Sequence, residues 1–345
     1  MAELRFRGRW RRPWRREEET PQGRRWVRAL LAVLVTAAVV VPLTAATRPS
    51  IPAPAPAHLA TPTAATLGKA YAANRANAAL ASRMAAAHGD RHRAASDRAL
   101  AAPSRRLLTF DGRGSGRAVE VFGDLAHAER VAVLVPGSDT SLDTYERFRA
   151  GAAALHDRLA LQAQAGAGAG ASPRTAVVAW LGYTTPGTIS TTAITPSRAA
   201  EAAPDLREFI GTLRAVTGPA SHVTVLCHSY GTVVCARAAS GLDVTDLVLL
   251  GSPGTGADSA ADLHTRARVW AARGADDWVA DVPHVSADLF GTTVGFGTDP
   301  MSPSFGARVF AAGSGGHSDY FTPGSASLAN LARIVLGDTM EVTHA

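Results

Sequence analysis

From residue 131 onward the chain alternates short, mostly apolar runs with longer helical stretches, and that alternation leaves few folds open. The apolar runs are VAVLVPG (131–137), TAVVAWLGY (175–183), VTVLCHS (223–229), DLVLLGS (246–252), RVWAARG (268–274) and ARVFAAG (307–313). Between them, helices are predicted from about Ser141 to Gln164 and from about Ser197 to Val216, with YGTVVCARAAS after Ser229 and SASLANLARIVLG near the end. A strand with no polar face must be covered on both sides, and strands that alternate with helices pair in parallel through crossovers. The expected class is α/β, a mostly parallel sheet covered by helices on both faces. Ahead of it, RRLLTFD and RAVEVFGD joined by GRGSG read as a hairpin that supplies an antiparallel edge.

The segments before this domain obey other rules. Residues 1–28 hold ten arginines against four glutamates, which accounts for the whole net charge of +6. A folded part with no net charge gives no basic face for a phosphate backbone, so nucleic acid is not an expected partner. Residues 29–46 (ALLAVLVTAAVVVPLTAA) carry no charge, and a basic block before an apolar run holds the N-terminus in the cytoplasm. Two readings stay open: a single-pass anchor at the short end of spanning length, or a signal peptide ending near Pro42 with small residues at Thr44–Ala45–Ala46. Arg24–Arg25 also raise a twin-arginine signal, although Arg28 stands where that signal wants an apolar residue. Each reading puts the bulk of the chain outside the cytoplasm, on the cell membrane or secreted.

Residues 47–66 read as an extended Pro/Ala/Thr linker. Residues 67–102 read as one or two Ala-rich helices ending at Pro103, either a stalk or a helix lying on the domain. Residues 103–345 form the expected α/β domain. GAGAGAS (166–172) has no Gly-Lys-Ser/Thr after it and is expected to be a connector rather than a phosphate loop. The two cysteines, Cys227 and Cys235, fall on a strand end and the next helix. A bridge between them is conceivable in an oxidising compartment, but buried free thiols are the expectation, and no zinc site is implied.

The stretch that carries chemistry is VTVLCHSYGT (223–232). A strand runs into Cys-His-Ser-Tyr-Gly and at once into a helix, the setting in which a strained turn presents a serine hydroxyl. Ser229 is the candidate nucleophile, placed at a helix N-terminus where free N–H groups favour developing negative charge. An acid and a histidine should follow later strands. Asp277 follows RVWAARG, with Asp276 competing for the acid role, and His317 follows ARVFAAG. His228 reads as a structural, hydrogen-bonded residue and Asp319 as a solvent-facing one. The oxyanion donors are expected at the Tyr230 N–H and in the loop after the first parallel strand, from Ser138 with Gly137 allowing close approach.

VLVPGSDT, CHSYGT, GADDWV, FGARVF and GHSDYF, in this order, resemble a bacterial α/β-hydrolase family, common in actinobacteria, that was first catalogued as a domain of unknown function. The resemblance covers roughly residues 105–337; the elbow there is usually Gly-His-Ser-Tyr-Gly, so Cys227 replaces a glycine. It implies the α/β-hydrolase fold and a serine-hydrolase site, with no settled substrate. The expected activity is an extracytoplasmic serine esterase acting through an acyl-enzyme on a small-molecule or lipid-like ester, possible variants being amide or thioester cleavage and acyl transfer. No metal or organic cofactor is implied. The alternative is a non-catalytic envelope protein that keeps the fold for binding or scaffolding. Thr184–Pro196 and Trp278–Gly306 are expected at the mouth, where Phe290, Phe296, Met301 and Phe305 either line an apolar acyl pocket or pack a long loop.

Overall fold

The computed structural model describes residues 51–166, 172–188, 196–282, 286–289 and 292–345. The basic stretch 1–28 and the apolar run 29–46 lie outside the described residues, as do 167–171 and 189–195. Among the described residues, no helix is long and apolar enough to cross a membrane.

The strands are β1 (Leu107–Asp111), β2 (Arg117–Gly123), β3 (Arg130–Val135), β4 (Thr175–Leu181), β5 (His222–His228), β6 (Asp246–Leu250), β7 (Arg268–Ala272), β8 (Ser286–Leu289), β9 (Thr292–Gly295) and β10 (Arg308–Val309). The helices are α1 (Leu67–Ala87), α2 (Arg91–Leu100), α3 (Tyr145–Gly166), α4 (Ser197–Thr217), α5 (Gly231–Ala238) and α6 (Ala326–Leu336). Eight strands form one sheet in the order β1-β2-β4-β3-β5-β6-β7-β10. The hairpin β1–β2 is antiparallel and β2 runs antiparallel to β4, while every other neighbouring pair is parallel.

The burial pattern explains the two-sided cover. Val131, Val133 and Val135 of β3 join the apolar cluster under α4 and α5, while Ala132 and Leu134 join the one under α3 and α6. Each parallel strand is a spine between two cores, which is why its sequence shows no polar alternation. After β3 the chain crosses outward to β4, and after β5 it turns the other way to β6. The C-terminal ends of β3 and β5 therefore flank the switch point of the sheet, where such folds open a crevice.

Four expectations change. The run ARVFAAG keeps only Arg308–Val309 as a parallel strand. It lies at the sheet edge, and after Phe310 N–H bonds the Ala271 carbonyl (3.1 Å) the chain turns to pair with its own C-terminal tail, through Phe310 and His344. Second, Cys227 and Cys235 form a disulfide rather than free thiols, with Cα atoms 6.5 Å apart. The elbow folds α5 back beside the end of β5 and so brings together residues eight apart in sequence.

Third, the Pro/Ala/Thr segment is not a free spacer where it is described. Asn77 Nδ2 donates to the Ala55 carbonyl (2.9 Å), and residues 51–345 form one compact unit, with no break at the boundary expected after residue 102. The Ala-rich region is two helices broken at Gly89 (φ 93°), with Asp90 capping α2 by accepting from the Arg93 N–H (2.9 Å). They lie on the domain. Asn74 donates to the carbonyls of Leu107 (3.3 Å) and Leu108 (2.8 Å), where β1 breaks register against β2. Fourth, the long stretch after Trp278 contains a short antiparallel hairpin, β8–β9.

Candidate active site

Ser229 follows β5 directly and has a left-handed backbone, φ 54°. A β-carbon-bearing residue in that region is strained. Contacts on both sides hold it: the Ser229 N–H donates to the Leu250 carbonyl (2.9 Å), and Thr232 donates through its N–H and hydroxyl to the Ser229 carbonyl (2.9 and 2.7 Å). Gly231 is required by space, since a Cβ there would lie 2.6 Å from the Pro136 carbonyl oxygen. Tyr230 is buried, and its hydroxyl accepts from the Ala199 N–H (3.1 Å), tying the elbow to the first turn of α4.

The structure brings Ser229, His317 and Asp277 into one chain of hydrogen bonds. His317 Nε2 lies 2.8 Å from Ser229 Oγ, and His317 Nδ1 lies 2.9 Å from Asp277 Oδ1. Asp277 is 2% exposed, whereas its neighbour Asp276 is exposed. Of the two neighbouring carboxylates, it is Asp277 that reaches the imidazole. Asp277 Oδ1 also accepts from the Val279 N–H (2.9 Å), and Oδ2 accepts from the Tyr320 hydroxyl. Burial alone would raise this carboxyl, but the bonds from His317, Tyr320 and Val279 outweigh it and hold the group at about 2, below its usual 3.8. Tyr320, itself buried, has its ionisation pushed far up by burial and by the carboxylate beside it.

His317 lies between two rings. His228 packs against it with centroids 4.7 Å apart, and so does Trp278. His228 donates through Nε2 to the His317 carbonyl (2.6 Å). Burial first, and the neighbouring His317 second, pull the His228 pKa down to about 4, so it stays a neutral donor at physiological pH. Asp319 is exposed, and its Oδ2 accepts from the Gly316 N–H (2.9 Å), shaping the loop that delivers His317.

Gly137 and Ser138 line the same cleft as Ser229 and Tyr230. A Cβ at Gly137 would lie 2.6 Å from Ser229 Cβ and 3.2 Å from its Oγ, so only glycine lets this loop reach the hydroxyl. The loop is laced to the residues after β4: Tyr183 OH donates to the Pro136 carbonyl (2.7 Å), Asp139 N–H to the Pro186 carbonyl (2.9 Å), and Thr185 Oγ1 to the Thr140 carbonyl (2.8 Å).

Two residues of the site carried no sequence reading of their own. Tyr320 stands inside the GHSDYF motif, three residues after the histidine. Gly251 follows β6 with φ 53°, and a Cβ there would lie 2.7 Å from Asp277 Oδ2 and 3.1 Å from His317 Nδ1. Its position at a parallel strand's C-terminal end, next to the nucleophile strand, was the available signal. The apolar wall is also distributed differently from the expectation. Phe296 lines the cleft, whereas Phe305 is buried in the core under α4 and α5, Met301 is absent from the lining, and Phe290 lies outside the described residues. Phe148, Trp278 and Phe321 supply the other aromatic walls. Among the described residues, no group of three or more His, Cys, Asp or Glu side chains is placed to hold a metal ion.

A family model described as "Alpha/beta hydrolase" matches residues 111–287, about half of the chain. An uncharacterised protein of Mycobacterium tuberculosis is 35% identical over 254 residues, which cover 65% of this chain and 37% of that protein. An uncharacterised protein of Mycobacterium bovis is 32% identical over 172 residues, 48% of this chain and 64% of that one. The chain thus spans less than two thirds of these relatives' lengths. Among solved structures, an α/β serine hydrolase without a lid from Xanthomonas campestris is similar with TM-score 0.41 at 17% identity, covering 69% of this chain and 95% of that one. The esterase domain of a Rhodothermus marinus protein is similar with TM-score 0.37 at 12% identity, covering 66% and 93%.

Proposed function

Because the chain belongs to this alpha/beta-hydrolase family, we propose that it is a serine hydrolase that cleaves carboxylic esters through an acyl-enzyme at Ser229. The observation that carries the reading is the 2.8 Å contact from His317 Nε2 to Ser229 Oγ, continued at 2.9 Å from His317 Nδ1 to Asp277. Ser229 Oγ attacks the ester carbonyl carbon as its proton passes to His317 Nε2. The tetrahedral oxyanion is met by the N–H groups of Tyr230 and Ser138, with Gly137 providing the clearance. His317 then gives the proton to the departing alcohol oxygen as the C–O bond breaks. Water repeats the cycle: it loses a proton to His317, attacks the acyl carbon, and the proton returns to Ser229 Oγ as the acid leaves. Asp277 fixes the imidazole tautomer and stabilises its charged form.

The protein works outside the cytoplasm in this reading. The basic block before an uncharged run supports it, and so does the Cys227–Cys235 bridge, since such bridges persist where the surroundings are oxidising. Alkaline phosphatase fused after residue 46 reports on export, and an inactive fusion in intact cells removes this part of the proposal.

The reaction is tested with a fluorophosphonate probe and nitrophenyl acetate. Folded protein should label at Ser229 and release nitrophenol, and Ser229→Ala should do neither. If folded wild-type protein neither labels nor turns over, the hydrolase reading is lost.

A further inference from the structure

The Cys227–Cys235 bridge spans the bend that presents Ser229. Cys227 stands two residues before the serine, near the end of β5, and is paired on both sides, with Val135 of β3 and Leu249 of β6. Its backbone is therefore fixed as part of the sheet. Cys235 belongs to α5, a helix of eight residues. Both cysteines are 0% exposed and join the apolar cluster under α4 and α5. The bridge thus ties the helical layer to the sheet across Ser229, Tyr230 and Gly231.

What the tie fixes is the direction of the helix. Tyr230, whose N–H is proposed to meet the oxyanion, is the cap residue from which α5 starts. The Tyr230 hydroxyl and Arg207, which donates to the Ala238 carbonyl (3.1 Å), hold α5 to α4 within the same layer. Towards the sheet, Thr232 Oγ1 lies 2.8 Å from Ser252 Oγ, just beyond β6. One such point lets a short helix pivot about it. Cys235 is three residues further, on the same face and about 4.5 Å along the axis at 1.5 Å per residue. Two points fix a line. Ser229 is held separately, by its N–H on the Leu250 carbonyl (2.9 Å), so a pivot of α5 moves the Tyr230 N–H relative to the hydroxyl. A donor displaced by more than about 0.5 Å loses its aim at the oxyanion.

We propose that the Cys227–Cys235 bridge is a positioning device for the oxyanion donor, and that the chain hydrolyses esters at full rate only in its oxidised form. The proposal rests on the reading of Ser229 as the nucleophile. Each cysteine acts through Tyr230 rather than on the substrate. The bridge closes by exchange with a partner disulfide: the two thiols lose two electrons and two protons as their S–S bond forms, and the partner's S–S bond is reduced to two thiols. The rate is low before that step and full after it. Both cysteines are buried, so a reductant reaches the closed bridge only through unfolding.

The test compares the full chain in two redox states. Protein unfolded in urea with dithiothreitol and refolded in reductant gives the dithiol, and oxidised glutathione then closes the bridge. The dithiol should cleave nitrophenyl acetate with kcat about tenfold lower and KM within about twofold, since an absent donor costs about a hundredfold or more and a misaimed one keeps part of its effect. Fluorophosphonate labelling of Ser229 should slow in parallel, and oxidation should restore both. The double variant Cys227→Ala with Cys235→Ala should show the low kcat whatever the state of the glutathione. Circular dichroism reports folding, and if the dithiol does not refold, the double variant decides. A folded chain without the bridge that keeps kcat within about twofold, or suffers in KM alone, overturns the positioning role and leaves the hydrolase standing. A chain that folds in neither unbridged form overturns it too, by making the bridge a condition of the fold. Oxidised wild-type protein that neither labels nor cleaves takes the hydrolase reading down as well.

Discussion

The two flanks of Ser229 are held in opposite ways. On the histidine and acid flank, every support is close at hand: Asp277 accepts from His317, Tyr320 and Val279, and His228 and Trp278 pack on the imidazole. On the flank proposed to hold the oxyanion, the loop after β3 is anchored from outside, by residues 183–188 on one side and by Arg93 of α2 on the other. Arg93 is 1% exposed. It donates to both oxygens of Asp143 (2.8 and 3.0 Å) and to the carbonyls of Gly112 (3.0 Å) and Gly114 (3.1 Å). His92 reaches the Asp143 carbonyl (3.1 Å), and Leu142 N–H bonds the Ser115 carbonyl (2.9 Å). Proton-transfer groups need fixed tautomers and short bonds, so they carry their own partners. A loop proposed to offer backbone N–H groups needs only a fixed backbone, and a distant guanidinium can supply that.

The largest effect should come on the first flank. Asp277→Asn keeps the shape but removes the acceptor that selects the imidazole tautomer, and kcat should fall about 10⁴-fold. Asp276→Asn is the control one residue away: an exposed side chain, and an expected change below about twofold. Steady-state kinetics on one ester checks both. Equal losses from the two variants would mean that burial had picked out the wrong carboxylate.

The other flank should show its dependence first as stability. Arg93→Met leaves the part-exposed Asp143 without its guanidinium and the Gly112 and Gly114 carbonyls without a donor, and should cost about 2–3 kcal/mol in urea unfolding, less than breaking a fully buried pair. In folded variant, kcat should also drop, by about tenfold with KM held, a fraction of what an oxyanion donor itself is worth. Arg93→Lys keeps the charge without the fork and should recover part of each loss. A variant that is less stable yet fully active would show that α2 braces the fold but not the loop.

What the sequence disclosed divides along the same line. Ser229 and its glycine were legible because the elbow is a local object, a strand, a tight bend and a helix within ten residues. The parallel core was legible from the same kind of regularity, runs with no polar face. Asp277 and His317 could be ordered along the chain but not joined, and Asp276 could be set aside only once burial was known. Arg93 was invisible, because an arginine among many in an Ala-rich helix shows its meaning only when it meets a loop fifty residues away. The disulfide was missed for the related reason that spacing does not fix the hinge angle at an elbow. The apolar wall was legible in part: Trp278 and Phe296 of the long segment line the cleft, whereas Phe148 and Phe321 reach it from elements whose meeting no local pattern announces.

The smallest effect separates the flanks most cleanly, because it is read through pH. Tyr320→Phe removes one of the bonds that hold Asp277 at about 2, so the carboxyl should move back toward 3.8. A carboxyl depressed in the folded state adds stability above its unfolded value, and that contribution drains away as pH falls through the folded one. The variant should therefore be less stable than wild type at pH 7 by about 2 kcal/mol, the worth of a hydrogen bond to a charged group. The gap should narrow between pH 4 and pH 2 as both proteins protonate the carboxyl. His228 adds a separate loss, since a histidine held down at about 4 costs stability as pH falls from 6.5 toward that value. That loss is common to both proteins and cancels in their difference. Arg93→Met, by contrast, loses a carboxylate partner that acid also takes away, together with bonds to the Gly112 and Gly114 carbonyls that acid leaves intact, so part of its gap should survive at low pH. Urea unfolding at pH 7, 4, 3 and 2 distinguishes the cases. A Tyr320→Phe gap that stays constant through that window would mean that the tyrosine packs against the acid without holding its charge.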